Sequence, residues 1–149
     1  MNRLLACVVV AACAGMSACN KEPETSDVTV SITSPTEGDT VSGSAVHITL
    51  DATGIEIAPA ADARPETAHH HLYLDVDFPA VETAIPMGTT GVVHLGQAQK
   101  EYHWENVTPG QHRIIAVLAD PGHIPLRPWV TDTVTFVVVA PPPADTTRK

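Results

Sequence analysis

Residues 28–33 read Val-Thr-Val-Ser-Ile-Thr, and this strict alternation of apolar and polar side chains predicts a strand with one buried face. Residues 46–51, Val-His-Ile-Thr-Leu-Asp, repeat the pattern. Further strands are expected at residues 69–76, 92–95, 99–107, 112–119 and 133–139. No segment shows a convincing helical period. The pattern therefore predicts an all-β chain, an immunoglobulin-like antiparallel β-sandwich of about seven strands.

One of these strands differs from the others in its pattern. Residues 112–119 form a nearly continuous apolar run, which is typical of a strand that is buried on both faces. The long segments 54–68, 78–90 and 120–128 are rich in proline and are expected to be connections. The opening segment, residues 28–46, resembles the first hairpin of many bacterial immunoglobulin-like modules. We expect one sandwich domain over residues 27–140, followed by a proline-rich tail at 141–149.

The N-terminal residues predict export from the cytoplasm. A short basic start, Met1 to Arg3, precedes the apolar run 4–15. This run is too short to span a bilayer, because a transmembrane helix needs about 20 residues. Residues 16–19, Met-Ser-Ala-Cys, resemble the lipobox of bacterial lipoproteins, although methionine is unusual at its first position. The resemblance implies a signal peptide at 1–18, lipidation of Cys19 and a tether at 19–26. The alternative is ordinary signal cleavage that leaves Cys19 as a free thiol.

The expected location follows from this leader. A lipid on Cys19 would attach the protein to a membrane with its domain facing the periplasm. Asn20 is not the aspartate that commonly retains lipoproteins at the inner membrane of enterobacteria, which favours the outer membrane.

Composition narrows the classes of partner. The formal net charge is −9, and removal of a signal that contains Arg3 and no acidic residue makes the mature chain more acidic still. Nucleic-acid binding is not expected, because it requires basic patches. The three cysteines are Cys7, Cys13 and Cys19, so the mature domain has no pair for a disulfide bond.

Histidine is unusually frequent in this chain, with eight in 149 residues. Side chains at positions i and i+2 of a strand share a face, so His69 and His71 should project together, with Tyr73 and Asp75 further along that face. His70 should point the opposite way and be packed or hydrogen-bonded. A His-x-His pair on a strand can place two imidazole nitrogens on one ion.

The remaining histidines differ as candidates. His94 lies at the edge of a predicted strand, and His123 lies in a loop that could close over one end of the sandwich. These two complete the candidate metal-ligand set, which is His69, His71, His94 and His123. His112 is expected to be a buried or strand-end histidine bonded to a backbone carbonyl. His47 and His103 are expected on the solvated surface.

Five motifs in order resemble one family of exported bacterial domains. They are His69-His70-His71-Leu72, Ile85-Pro86, His94-Leu95-Gly96, Pro109-Gly110-Gln111-His112 and Asp120-Pro121-Gly122-His123-Ile124-Pro125. Together they are similar to domain of unknown function 4399, over roughly residues 69–139. That family often has a histidine where Val92 stands, and usually has glycine and threonine where Ala98 and Lys100 stand. The resemblance implies an exported location but no activity.

Three classes of function are compatible with these residues. The first is a lipid-anchored binding domain that holds copper or zinc through the four candidate histidines; the rarity of sulfur ligands favours divalent copper over copper(I). The second is a structural or protein- or glycan-interaction domain whose histidines make the surface pH-responsive. The third is an enzyme, which is not expected, because no nucleophile motif, Gly-x-Ser-x-Gly or His-Glu-x-x-His occurs.

Overall fold

The computed structural model describes residues 27–141. The expected signal peptide, the lipidated Cys19, its tether and residues 142–149 of the tail lie outside the described residues. Between residues 27 and 141, no helix is long and apolar enough to cross a membrane. The strands are β1 (Thr29–Ser34), β2 (Thr40–Ser42), β3 (Val46–Thr53), β4 (Glu56–Ile57), β5 (Thr67–Leu74), β6 (Val92–Leu95), β7 (Glu101–Trp104), β8 (Gly110–Ala119) and β9 (Thr131–Val139).

The strands form two facing sheets. The small sheet has the order β1-β3-β7, and the large sheet has the order β2-β9-β8-β5-β4, with β6 also paired to β5. All pairs are antiparallel except β2 with β9 and β4 with β5. The all-β, immunoglobulin-like sandwich is therefore confirmed. The structure adds β2 and β4, which are too short for a periodic pattern to predict.

The alternation of the sequence places one face of each sheet in a shared core. Val30 and Ile48 come from the small sheet, and Leu72, Ile114 and Phe136 come from the large sheet, all in one buried cluster. Burial of a side chain of this size contributes about 1.5–3 kcal/mol. The core therefore holds the two sheets face to face.

The outer face of the large sheet is also buried around β5 and the end of β8, which is the feature that positions the candidate site. A second apolar cluster contains Tyr73 of β5, Val117 and Ala119 of β8, and Ile85 from a loop. The end of β8, residues 116–119, is thus buried on both faces, whereas the preceding residues alternate, so the double burial predicted for the apolar run holds only there. The burial comes from two cover loops, defined here as residues 75–91 and 120–130.

The two cover loops hold each other in place. The Ile85 amide donates a hydrogen bond to the His123 carbonyl at 2.9 Å. Phe78 packs edge-on against Tyr73 and against Trp129, each with ring centroids 5.7 Å apart. An ion pair between Arg127 and Glu82 links the loops at the surface. The outer face of β5 and of the end of β8 is consequently enclosed rather than open to water.

Candidate metal centre

Strand β5 delivers two histidines to the enclosed outer face. His69 and His71 alternate with Ala68, His70 and Leu72, which face the inter-sheet core or lie beside it. His69 is 1% exposed and His71 is 0% exposed. Their Nε2 atoms lie 3.0 Å apart. The strand period therefore brings the predicted pair together, and the cover loops bury it.

Strand β6 adds His94. It lies directly opposite His71 in the antiparallel register, so both side chains share a face. The His94 ring centroid is 5.0 Å from that of His71 and 4.8 Å from that of His69. His94 is half-buried.

Gly96 makes room for the ring of His94. A Cβ at Gly96 would come within 2.2 Å of His94 Cε1 and 2.5 Å of His94 Nε2. No positive φ accounts for this glycine, so its role is steric. Gly96 belongs to the motif His94-Leu95-Gly96, but nothing in the sequence indicates this steric role, because Gly96 lies in the turn that follows β6.

The second cover loop brings the last candidate, His123, to the site. A tight turn forms where the His123 amide donates to the Asp120 carbonyl at 2.8 Å and the Ile124 amide donates to Asp120 Oδ1 at 2.9 Å. His123 adopts φ 67°, a left-handed conformation that histidine visits more often than most residues. Its ring centroid lies 4.7 Å from that of His94, 5.0 Å from His69 and 5.8 Å from His71.

The four histidines form one cluster, and three of them have converging ligand atoms. One nitrogen each of His69, His94 and His123 lies within 4.8 Å of the other two. His71 lies outside this set of three but faces His69 at 3.0 Å. A tetrahedral site with metal–nitrogen bonds of about 2.0–2.1 Å sets its donor atoms about 3.3 Å apart. The spacing of His69 and His71 therefore suits either a hydrogen bond or two neighbouring metal ligands.

The electrostatic environment favours the neutral form of His69, His71 and His94. Burial lowers the pKa of His69 to about 4, and the nearby rings of His94, His123 and His70 add to the effect. Burial, with the surrounding imidazoles, lowers the pKa of His71 to about 3. The pKa of His94 is also lowered, by burial and then by His123. Neutral imidazole is the form that binds a metal ion.

Several ring nitrogens in the cluster are buried without a partner. His69 Nδ1, His71 Nδ1 and His94 Nε2 form no hydrogen bond within residues 27–141. A buried polar group without a partner costs about 1–3 kcal/mol. A bound cation could accept the lone pair of each of these nitrogens that carries no proton.

His70 and His112 lie outside the cluster and contact other protein groups through their ring nitrogens. His70 points to the opposite face, is fully buried and has its Nδ1 3.1 Å from the Gln99 carbonyl, in line with the prediction. His112 Nε2 donates to the Thr108 carbonyl, and its Nδ1 donates to Asp75 Oδ2, each at 2.7 Å. Burial lowers the pKa of His112, but the hydrogen bonds to Asp75 and Thr108 outweigh it and raise the pKa overall.

One sequence-based expectation is wrong. Asp75 does not continue the face of His69 and His71, because β5 ends at Leu74 and Asp75 has φ 56°. The Asp75 carboxylate instead contacts His112 through Oδ2. Its Oδ1 accepts a hydrogen bond from the Arg113 amide at 2.9 Å.

The remaining histidine pair lies on the surface, as predicted. His47 and His103 are directly opposite each other on β3 and β7. Their rings stack, with centroids 4.2 Å apart and an interplanar angle of 1°. His47 Nε2 also contacts Glu101 Oε2 at 3.0 Å. This pair supplies a natural control for the buried cluster.

Comparison with protein families matches residues 48–139 to DUF4399, a domain of unknown function. The chain belongs to the DUF4399 family. The match covers β5, β6 and the second cover loop, so this DUF4399 domain contains the whole histidine cluster. A comparison with curated proteins gives no significant match.

Solved structures resemble this DUF4399 domain in fold. A fibronectin(III)-like module of Clostridium thermocellum CbhA has a TM-score of 0.48 and 18% identity, covering 76% of this chain and 100% of that chain. The PKD domain of human KIAA0319 has a TM-score of 0.42 and 12% identity, covering 81% of this chain and 88% of that chain. Neither likeness bears on function.

Proposed function

We propose that this domain binds one divalent transition metal ion, copper(II) or zinc(II), through His69, His94 and His123, with His71 as the fourth donor. The observation that carries the proposal is the convergence of three imidazole nitrogens within 4.8 Å of one another. Imidazole is a favoured ligand for copper, zinc, nickel and iron.

The donor set distinguishes among these ions. The only sulfur expected in the mature chain besides lipid-blocked Cys19 is Met87, which is 61% exposed, so the soft ligands that select copper(I) are lacking in the described part of the chain. Four imidazoles fit a closed tetrahedral zinc site or a four-nitrogen copper(II) site. A complete set of protein ligands favours binding or storage over catalysis, which needs an open position.

The cellular context is part of the proposal. Cys19 would carry the lipid that attaches the chain to a bacterial envelope membrane, with the outer membrane favoured, and the domain would face the periplasm. The support is the leader, with its basic start, short apolar run and lipobox-like residues 16–19.

Calorimetric titration of copper(II), zinc(II) and nickel(II) into the mature chain carrying Cys19→Ser tests the metal proposal. We expect one ion per chain with a dissociation constant below about 1 µM, which corresponds to about −8 kcal/mol. The double variant His69→Ala/His123→Ala should lose this binding. The matched control, His47→Ala/His103→Ala, also removes two histidines that lie near each other, and it should bind as the parent does.

Two further measurements keep the result interpretable. Circular dichroism checks the fold of each variant, and His94→Ala removes a half-buried ligand at less risk to the core. Nitrogen hyperfine structure in the copper(II) spectrum reports how many imidazoles bind. Weak heat that is the same in all variants, or loss in the surface control alone, would overturn the proposal. The cluster would then be structural, and a protein or glycan partner would become the alternative.

A further inference from the structure

A cavity of about 150 Å³ lies on the outer face of the large sheet, under the first cover loop. Most of its lining is apolar; the lining residues are Tyr73, Val76, Asp77, Pro79, Ile85, Pro86, Thr89 and Val92. It is thus a partly enclosed apolar chamber with few polar groups.

The cavity adjoins the histidine cluster. Tyr73 and Val92 are direct cross-strand partners, and the next pair on the same face is His71 with His94. Successive pairs on one face of a strand are about 6.6 Å apart. The chamber therefore begins one step along the sheet from the candidate ligands.

Tyr73 supplies a buried hydroxyl that has no hydrogen-bond partner in the described part of the chain. The residue is 3% exposed, and its hydroxyl forms no hydrogen bond with any residue from 27 to 141. A buried tyrosine hydroxyl usually finds a partner. Burial raises the pKa of Tyr73, so the group remains a neutral donor and acceptor.

The charged groups near the cavity are engaged elsewhere. The Asp77 side chain is 85% exposed and forms an ion pair with Arg113 at the surface. Burial of a charged ligand in an apolar chamber without a counter-charge is unfavourable. A neutral occupant is therefore favoured.

We propose that this cavity binds one small neutral molecule, mainly apolar and about the size of a benzene ring, which carries an oxygen that hydrogen-bonds to the Tyr73 hydroxyl. An apolar protein cavity of about 150 Å³ is known to hold benzene, which sets the size of the occupant. The inference does not depend on metal binding, because none of the lining residues is a candidate ligand.

The test uses phenol and toluene as probes on the metal-free mature chain carrying Cys19→Ser, followed by amide chemical shifts in NMR. We expect both probes to bind with millimolar or tighter affinity and to shift amides of residues around the cavity. Tyr73→Phe should weaken phenol binding about tenfold, the effect of one hydrogen bond, and leave toluene binding unchanged.

Two further variants separate the cavity from general surface binding. Val92→Phe should fill the chamber and abolish binding of both probes, whereas Val137→Phe, at an exposed position on β9, should not. Failure of both probes to bind the parent, or binding that survives Val92→Phe in a folded protein, would overturn the inference. Equal weakening of phenol and toluene by Tyr73→Phe would overturn the hydrogen-bond assignment. Because the protein is metal-free, none of these outcomes can be confused with a failure of the metal proposal.

Discussion

The imidazole ring of His94 lies over the α-carbon of Gly96, where even a methyl group would come within 2.2 Å of His94 Cε1. Gly96 lies in the turn directly after β6, two residues beyond His94, and its bare backbone leaves the space that the ring occupies.

Gly96→Ala should therefore displace His94 and weaken metal binding. Loss of correct ligand orientation typically lowers metal affinity about 10- to 100-fold. Overpacking at this buried position should also destabilise the metal-free protein by about 1–3 kcal/mol. Calorimetric titration with zinc(II) and urea denaturation measure the two effects.

A double-mutant cycle controls this prediction. In a His94→Ala background the added methyl group meets no ring, so Gly96→Ala should cost little further stability. An equal cost in both backgrounds would show that Gly96 does not act through His94.

Substitutions at His123 should separate its backbone from its side chain. The residue has φ 67°, which costs about 1–2 kcal/mol for a side chain with a Cβ and is free for glycine. We expect His123→Gly and His123→Ala to lose metal affinity equally, with His123→Gly more stable by about 1 kcal/mol. Thermal and urea unfolding without metal compare the two. Equal stabilities would contradict the strain argument, and retained affinity would remove His123 from the site.

Ala98 offers a stabilising substitution outside the site. Its φ of 59° is left-handed, a conformation that glycine adopts without strain. Ala98→Gly should raise the free energy of unfolding by about 0.5–1 kcal/mol. The slope of the unfolding free energy against urea concentration should stay the same. The control is Ala45→Gly at an exposed position without positive φ, which should be neutral or destabilising. Metal affinity should stay unchanged in both variants.

The pairing of His112 with Asp75 should make stability depend on pH. The folded-state pKa of His112 is raised above the ordinary value of 6.5, so its contribution is fully present below pH 6.5 and is lost as pH rises through the folded pKa. Asp75→Asn keeps a residue that tolerates positive φ but removes the charge. In metal-free protein, the loss of unfolding free energy caused by Asp75→Asn should be largest at low pH and should shrink above neutrality.

Urea midpoints across about pH 5.5–8.5 measure this difference over the range where histidine titrates. Glu101→Gln is the matched control, because it removes a carboxylate from an exposed contact with His47. Exposed pairs contribute little, so this variant should follow the parent. A constant deficit for Asp75→Asn at every pH would contradict the prediction.

The sequence predicted those parts of the fold and site that follow from the strand period. The buried face at Val30 and Ile32 and the shared face of His69 and His71 follow from the period of two. The double burial at residues 116–119 of β8 follows from a continuous apolar run. The structure confirms each of these. The cluster with His94 then depends on one register, His71 opposite His94, which no local pattern specifies.

The remainder depends on long-range packing and on single backbone conformations. The burial of His69 and His71 requires both cover loops, whose composition predicts only irregular structure. The turn at Asp75 depends on a positive φ that also draws its carboxylate to His112. Val92 lines the cavity beside Tyr73, its cross-strand partner. None of these features leaves a periodic signal in the sequence.

The enclosure by the cover loops also has a kinetic consequence. His69 and His71 are 1% and 0% exposed, whereas His94 and His123 are half-buried, so within the described chain an ion meets the outer pair first. Passage to the inner pair requires a local opening of the cover loops, because His69 and His71 are out of reach of solvent in this conformation. Uptake should therefore occur in two phases, and the slower rate should level off as metal concentration rises. The same barrier delays escape, so an ion bound here would exchange with its surroundings slowly even at modest affinity.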